Sequence, residues 1–516
     1  DNKSVKLYNN ISANAVTNVA RIGTKYYSSL QDAVNSASSG ATIYLLNNYT
    51  VSSTVLIINK NLAIYPESSN VILTCNTGTW GVHIQNSKVT LGGNGNYTLS
   101  FDGNKQQIKD SEGIIGISGN GSVVSLNSGL RIINSSQNGF VCGAGNTINV
   151  NSGSQFFNNG KSGVVCAGGA NITGGNFYKN GQDGITMLAN DGTKLNVTGG
   201  SFYNNGRAGI AFGAIDTTSK DIVCYATLSR GEIYGNGVGL YLNTSNKNYW
   251  NVSNTGMSIH DNTNRSTTQS VAGMGGGIHV STKSVLAVTG GSIYSNSASG
   301  SGGGIYNSGT LTLTNGTISG NQTAGSGGGV ANTGTFIHNG GSITGNKQTT
   351  TNGNGGGVFN SGTYNLKGGT VSNNTSARHG GGIRNDKTFN MTSGTISGNV
   401  ATNNGGGVFS GANTTTNITG GIITNNTSLA GGGIAMDTTT SQQTIKNATI
   451  SNNKATSYCG GIWSGADLLL SGNTVSSNSS GNGGGVYSSG PLTVQSGNIN
   501  NNTATANNGG AIYLDA

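Results

Sequence analysis

The chain has 516 residues, 90 of them Gly and 2 Pro; 8% are charged and the formal net charge is +9. An ordinary soluble domain carries about 7% Gly and about 25% charged residues, so this chain is rich in Gly and unusually poor in charge. That balance excludes a charge-driven disordered chain and a nucleic-acid groove with clustered Lys and Arg; Gly does not fall at every third position and Pro is almost absent, which excludes collagen, and no apolar run approaches the ~18 residues of a membrane span.

Asp1 opens the chain with neither Met nor an apolar leader, as in a secreted protein after signal removal or in an expressed fragment. The first predicted element is a short helix over Ser29–Ala37. Ser29 is its N-cap with Asp32 at N3, Leu30, Ala33, Val34 and Ala37 form one apolar stripe, and Gly40 stops it. Strands begin at Thr42-Ile43-Tyr44-Leu45. A helix in this place suits the bare strand edge at the end of a solenoid.

A repeating block follows in which an aromatic or aliphatic residue precedes Asn by three positions: Phe156–Asn159, Phe177–Asn180, Phe202–Asn205, Ile233–Asn236 and Ile259–Asn262. The first four are each followed by Gly and an apolar strand, at Val164, Ile185, Ile210 and Leu240. Spacing widens through this half, so residues 213–230, 243–250 and 263–274 are expected to be loops on one flank.

From residue 275 the repeat is regular. Gly-Gly-Gly-Ile/Val blocks and their variants begin at 275, 302, 327, 355, 380, 405, 431, 459, 483 and 509, a mean spacing of 26. A period of 20–50 residues marks a solenoid, propeller or array. One unit, Gly302 to Thr323, holds three short strand patterns bounded by Gly, Asn or Ser, with almost no helix formers. That is too short for a propeller blade and fits one coil of a parallel β-helix, whose coils stack at about 4.8 Å. The spaced Asn continues as Asn296, Asn321, Asn346, Asn374, Asn399, Asn426, Asn453, Asn478 and Asn502. Stacked coils would align these amides in a hydrogen-bonded ladder, and Asn tolerates the left-handed backbone that such turns use. Ile512-Tyr513-Leu514 stops within a repeat, so the natural chain is expected to continue past Ala516.

These Gly-Gly-Gly/Ala-Ile/Val/Leu and Phe-x-x-Asn blocks resemble the passenger repeats of chlamydial polymorphic membrane proteins and adhesin-like β-helix proteins of bacterial and archaeal surfaces. The segment YYSSLQDAVNSASSGATIYLL is similar to the N-terminal cap of secreted β-helix proteins. The resemblance covers nearly the whole chain and implies a surface setting. Neither an outer-membrane barrel nor a cell-wall sorting motif is found within these residues, which leaves the anchor open.

β-Helices also carry glycosidases and lyases, so acids were weighed. After residue 265 only Asp386, Asp437, Asp467 and Asp515 occur; in the first half Asp183, Asp191, Asp216, Asp221, Glu232 and Asp261 fall near the expected loops. Asp183 and Asp216 could meet across coils beside Arg207, at the roughly 5–9.5 Å a glycosidase pair needs; solvated turn acids are the alternative reading of all of them. His83, His260, His279, His338 and His379 lack metal-ligand spacing, and His338 falls at an inward position. Cys75, Cys142, Cys166, Cys224 and Cys459 form no CxxC; Cys142 and Cys166 are expected to stack as buried free thiols. A Thr row able to bind ice is not maintained, since Thr312 aligns with Ile337, Asn365, Asn390, Asn417, Thr444, Leu469 and Thr493.

The residue after each Gly-Gly-Gly-Ile/Val must point outward, because strand side chains alternate. It is His279, Tyr306, Ala331, Phe359, Arg384, Phe409, Ala435, Trp463, Tyr487 and Tyr513, so six of ten are aromatic. Either the rings stabilise the strands by stacking, or they form a recognition face in which Tyr306, Phe359, Arg384, Phe409, Trp463, Tyr487 and Tyr513 bind ligand. The expected fold is therefore an all-β, right-handed parallel β-helix with three short strands per coil, of roughly 18–20 coils at the strand spacing. It divides into residues 1–40 (extension and capping helix), 41–274 (irregular half) and 275–516 (regular repeats). The expected function is an extracellular, cell-surface adhesin or display stalk for a glycan or protein partner, without cofactor, metal, nucleic acid or membrane insertion. The alternative is a secreted glycosidase or lyase with a site between 183 and 274.

Overall fold

The structure, a computed structural model, describes residues 17–214, 221–243, 248–266, 273–506 and 509–515. They wind into a right-handed parallel β-helix of about 18 coils. A regular coil runs through Ile305–Asn307, Thr310–Leu313 and Thr317–Ser319, then a two-residue strand, Gln322–Thr323. We call the long sheets built from the first three positions C, A and B. From Thr263 onward the fourth position adds a ten-stranded sheet D of minimal strands, so the regular coils have four sides where the repeat content predicts three strands.

Register follows the repeat. Ile318 pairs with Ile343, Ile343 with Val371 and Val371 with Ile396, and all four are fully buried. Phe156, Phe177 and Phe202 continue this inner column, their rings stacked at 4.7 and 4.8 Å. Thr312 opens a row that runs through Ile337, Asn365, Asn390 and Asn417, as the alignment predicts. Cys142 and Cys166 are register partners, buried and free. The neighbouring Cys166 thiol, together with burial, pushes the Cys142 pKa up.

The glycine block has a steric cause. Gly302 sits at φ 76, a left-handed conformation. A Cβ on Gly303 would lie 2.4 Å from the Gln322 carbonyl oxygen and 2.5 Å from that of Gly328, both backbone atoms that cannot swing away. The blocks stack directly, Gly303 N–H donating to Gly327 O and Gly304 N–H to Gly328 O at 3.1 Å each.

At the N-terminus, helix α1 (Leu30–Ser36) starts at Ser29, whose side chain accepts from the Asp32 amide. Leu30, Ala33 and Val34 are buried. Gln31 accepts from the Leu56 amide at 2.7 Å and donates to the Leu56 carbonyl at 3.2 Å. It thus occupies hydrogen-bonding groups on the first sheet-C strand, Val55–Ile58. Lys60 Nζ donates to the Val34 and Asn35 carbonyls at the other end of the helix. An antiparallel hairpin, Ala20–Ile22 with Lys25–Tyr27, completes the cap and was not legible in the sequence.

Two expectations need correction. The segments 213–230 and 243–250 are not simply loops: Ile222–Leu228 and Asn248–Asn254 are seven-residue strands of sheet A, paired along their full length. The period-2 pattern decides this, with Cys224, Ala226 and Leu228 inward and Tyr225 61% exposed. Residues 215–220, 244–247 and 267–272 of the expected loops lie outside the described residues. The second correction concerns the Asn turns. The left-handed residue is the one before each ladder Asn, for example Asn204, Ser295, Asn373 and Ser477, at φ 53–58, or Gly320 and Gly345. The ladder Asn points its amide into the turn instead.

Candidate ligand-binding faces

The outward sheet-C row forms as the alternation requires, in unbroken register from His279 to Tyr513. Its exposure is uneven. Tyr306, Phe359, Arg384, Trp463 and Tyr513 are half-buried, whereas Phe409, Tyr487 and His279 are buried. The leading glycine of each block folds back over this row, so that a Cβ on Gly405 would lie 2.6 Å from Phe409 Cβ. Ala331 and Ala435, though outward, are fully buried and interrupt the row. His279 stacks on Tyr306 at 5.1 Å, the Arg384 guanidinium lies 4.2 Å over Phe409, and Tyr487 stacks on Tyr513 at 5.3 Å. Arg384 also donates to Asp386, and His379 packs tilted on Phe409. Burial, helped by Arg384 and Arg378, lowers the His379 pKa to about 4. Burial and the hydrogen bond to Asp515 raise that of Tyr487.

A second aromatic row, which the sequence reading missed, lies on sheet B. Phe157, Tyr178, Tyr203, Tyr234, His260 and Tyr294 are register partners of successive coils. All six are half-buried. Their centroids are separated by 4.8, 4.9, 5.0, 5.2 and 4.7 Å, with interplanar angles of 13° or less. Strand spacing exceeds the roughly 3.5–4.0 Å of optimal carbon contact, so near-parallel rings at this separation favour a slipped stack. Gln155, Asn176, Ser201, Glu232 and Ser258 form a polar ribbon beside them. Partial burial raises the Tyr178, Tyr203, Tyr234 and Tyr294 pKa values, and His260 Nδ1 lies 2.7 Å from Asp261 Oδ2. The signal was present in the sequence. Each ring directly follows the inward residue of the Phe-x-x-Asn block, and the alternation rule applied there would have found the row.

Of the proposed acid pair, only Asp183 lies among the described residues. Asp183 is fully buried, and Arg207 binds both its oxygens, Nε to Oδ1 at 2.8 Å and Nη2 to Oδ2. The Ala208 amide and Thr186 Oγ1 supply two further hydrogen bonds, at 3.2 and 2.6 Å. Asp183 raises the Arg207 pKa. Asp221 and Asp191 are exposed, and Asp216 lies outside the described residues. His338 is fully buried, as its inward position implies, with Nδ1 3.0 Å from Tyr364 Oη; burial lowers its pKa to about 4.

Comparison with family models, with curated proteins and with solved structures yields no match. The parallel β-helix itself rests on the repeat pattern and the strand register.

Proposed function

We propose that this chain is an extracellular surface adhesin or display stalk whose outward aromatic rows meet a glycan or protein ligand. The observation that carries this reading is the sheet-B tape, where six half-exposed rings are held in line on a rigid scaffold. Rigid amphipathic rings supply contact area with little side-chain entropy to lose on binding. The half-buried members of the sheet-C row, Tyr306, Phe359, Arg384, Trp463 and Tyr513, offer a second such face. The Asp183 pairing weighs against the enzyme alternative, since a carboxylate committed to Arg207 and two further donors is a poor general acid or base.

The test compares two variants, Tyr178, Tyr203 and Tyr234 to Ser, and Tyr306, Phe359 and Trp463 to Ser. Each is measured for adhesion to cells and to immobilised glycans, and for melting temperature. Adhesion lost with melting nearly unchanged is the expected result for at least one face. Adhesion retained in both, with melting lowered, would reduce the rings to strand packing and leave a spacer without a ligand.

A further inference from the structure

Around the corner from the aromatic tape, Arg207 and Tyr241 lie between two grooves. The larger, about 440 Å³, has a floor of Leu188, Phe212, Gly213 and Ala214, with Asn243 at its edge. The smaller, about 270 Å³, adds Arg265. The larger falls within the roughly 300–1,000 Å³ of ordinary ligand pockets.

The Arg207 guanidinium is fixed before any ligand arrives. Its Nε and Nη2 edge is held by the fully buried Asp183, and its Cζ lies 5.6 Å over the Tyr241 ring. Tyr241 is itself 4% exposed and packs edge-on against His279 at 5.6 Å. Arg207 Nη1 makes no hydrogen bond among the described residues, and 28% of the side chain is exposed. An arginine with one edge occupied keeps a second two-donor fork, Nη1 with the remaining Nη2 proton, whose shape matches a planar carboxylate. Asp183 cancels the Arg207 charge, and the one surplus cation nearby, Arg265, lines the adjoining smaller groove. That balance suits one anionic group on an otherwise neutral ligand rather than a polyanion.

The floor narrows the class further. Leu188, Gly213 and Ala214 are partly exposed, and Gly213 leaves the backbone bare. An apolar floor with an exposed amide at Asn243 suits the C–H face and hydroxyls of a pyranose. We propose that this groove binds the carboxylate of a hexuronate unit in an otherwise neutral glycan. This deepens the surface-recognition reading and rests on it for the glycan.

The test is calorimetric titration of the whole chain with a glucuronate-terminated oligosaccharide, the matching glucose-terminated one and a short Glu-containing peptide. Arg207→Ala would strand Asp183, so two other variants probe the groove. Gly213→Leu fills it: the new Cβ meets only Leu188 Cδ2 at 3.3 Å and Met187 O at 3.9 Å, the closer being the mobile end of a side chain. Asn243→Ala changes an exposed residue and leaves the fold intact. The acidic sugar should bind at least tenfold tighter than the neutral one and tighter than the peptide. That affinity should fall at least tenfold in Gly213→Leu and at least threefold in Asn243→Ala. Equal affinity for both sugars, undiminished binding in both variants, or a peptide that binds as tightly as the acidic sugar overturns the proposal. Running the Tyr178, Tyr203 and Tyr234 to Ser variant alongside separates the two ideas. Loss there, with Gly213→Leu unaffected, removes the groove and keeps the tape.

Discussion

At Asn346 one side chain closes four hydrogen bonds across neighbouring coils, one of them from its Nδ2 to Asn374 Oδ1 at 3.0 Å. Its Nδ2 donates to Ile318 O at 2.9 Å, and its Oδ1 accepts from the Asn321 amide and from Asn321 Nδ2, each at 3.0 Å. The same unit recurs from Asn159 to Asn502, so each amide is polarised by its neighbours along the axis. Asn346→Ala should destabilise its coils by about 1–3 kcal/mol for each group left unpaired; faster hydrogen exchange at the Asn321 amide, with distant coils unchanged, is the readout. A second row, Asn307, Asn332, Asn360 and Asn385, is linked at 2.7–2.8 Å on sheet C. Its first member shows why rows need company: Val280 lies beneath Asn307, whose buried Oδ1 has no partner among the described residues. His338 gives a pH prediction. Burial holds it neutral, with a pKa near 4 in the fold against about 6.5 when unfolded. The unfolded chain therefore binds the proton first, and stability should fall as pH drops from 6.5 towards 4, by up to about 3 kcal/mol. His338 sits between Leu313 and Leu366 in its column. His338→Leu combined with Tyr364→Phe should reduce the pH dependence of urea midpoints over that range without abolishing it, because His279 and His379 carry the same downward shift.

The strand and the turn are the elements of this molecule, and each coil gains stability only from its neighbours. Ile343 is fully buried between Ile318 and Val371. Ile343→Ala should remove about 2–5 kcal/mol, appearing as fraying of adjacent coils rather than one global transition; exchange protection mapped coil by coil checks this. Gly303→Ala tests the glycine block. Its methyl would press on two carbonyl oxygens at 2.4 and 2.5 Å, so a loss at the upper end of the about 1–3 kcal/mol of overpacking is expected from denaturant melts. The Gly-Gly-Gly repeat was legible because sterics hold its middle position to Gly, while Cys459 in the leading and Ala511 in the third position are the variants. The left-handed residue was placed one position late, because Asn both adopts that geometry and forms ladders, and pattern alone cannot assign the two roles. The spacing of Ile222–Leu228 departs from the repeat and suggests a loop, although its alternation is that of a strand.

On the scale of the whole molecule, about 18 coils at roughly 4.8 Å make a rod near 85 Å long. Such a rod ends in unpaired strand edges, which recruit other chains. The α1 cap covers one of them through Leu30, fully buried, and the Gln31 bonds to Leu56. Leu30→Asp with Gln31→Ala should unseat the helix and expose Val55–Ile58, producing higher oligomers by light scattering at a concentration where the parent chain gives none. An unchanged size distribution would show that the hairpin at Ala20–Tyr27 protects the edge by itself.

The repeat period, the inward column, the Asn ladder and the outward sheet-C row follow from sequence alone, because a solenoid maps residue number directly onto position along the axis. Stacking at a fixed spacing turns a one-dimensional pattern into contacts, so Ile318 over Ile343 could be read without a structure. The same directness does not extend to what covers an outward residue. Whether Phe409 is buried depends on how the Gly405 backbone folds over it, and whether Asp183 is available depends on Arg207 one coil away. One is a backbone fold within a coil and the other an ion pair between neighbouring coils, and periodicity carries no information about either. Tertiary structure alone showed Asp183 bound to an arginine that lines an open groove.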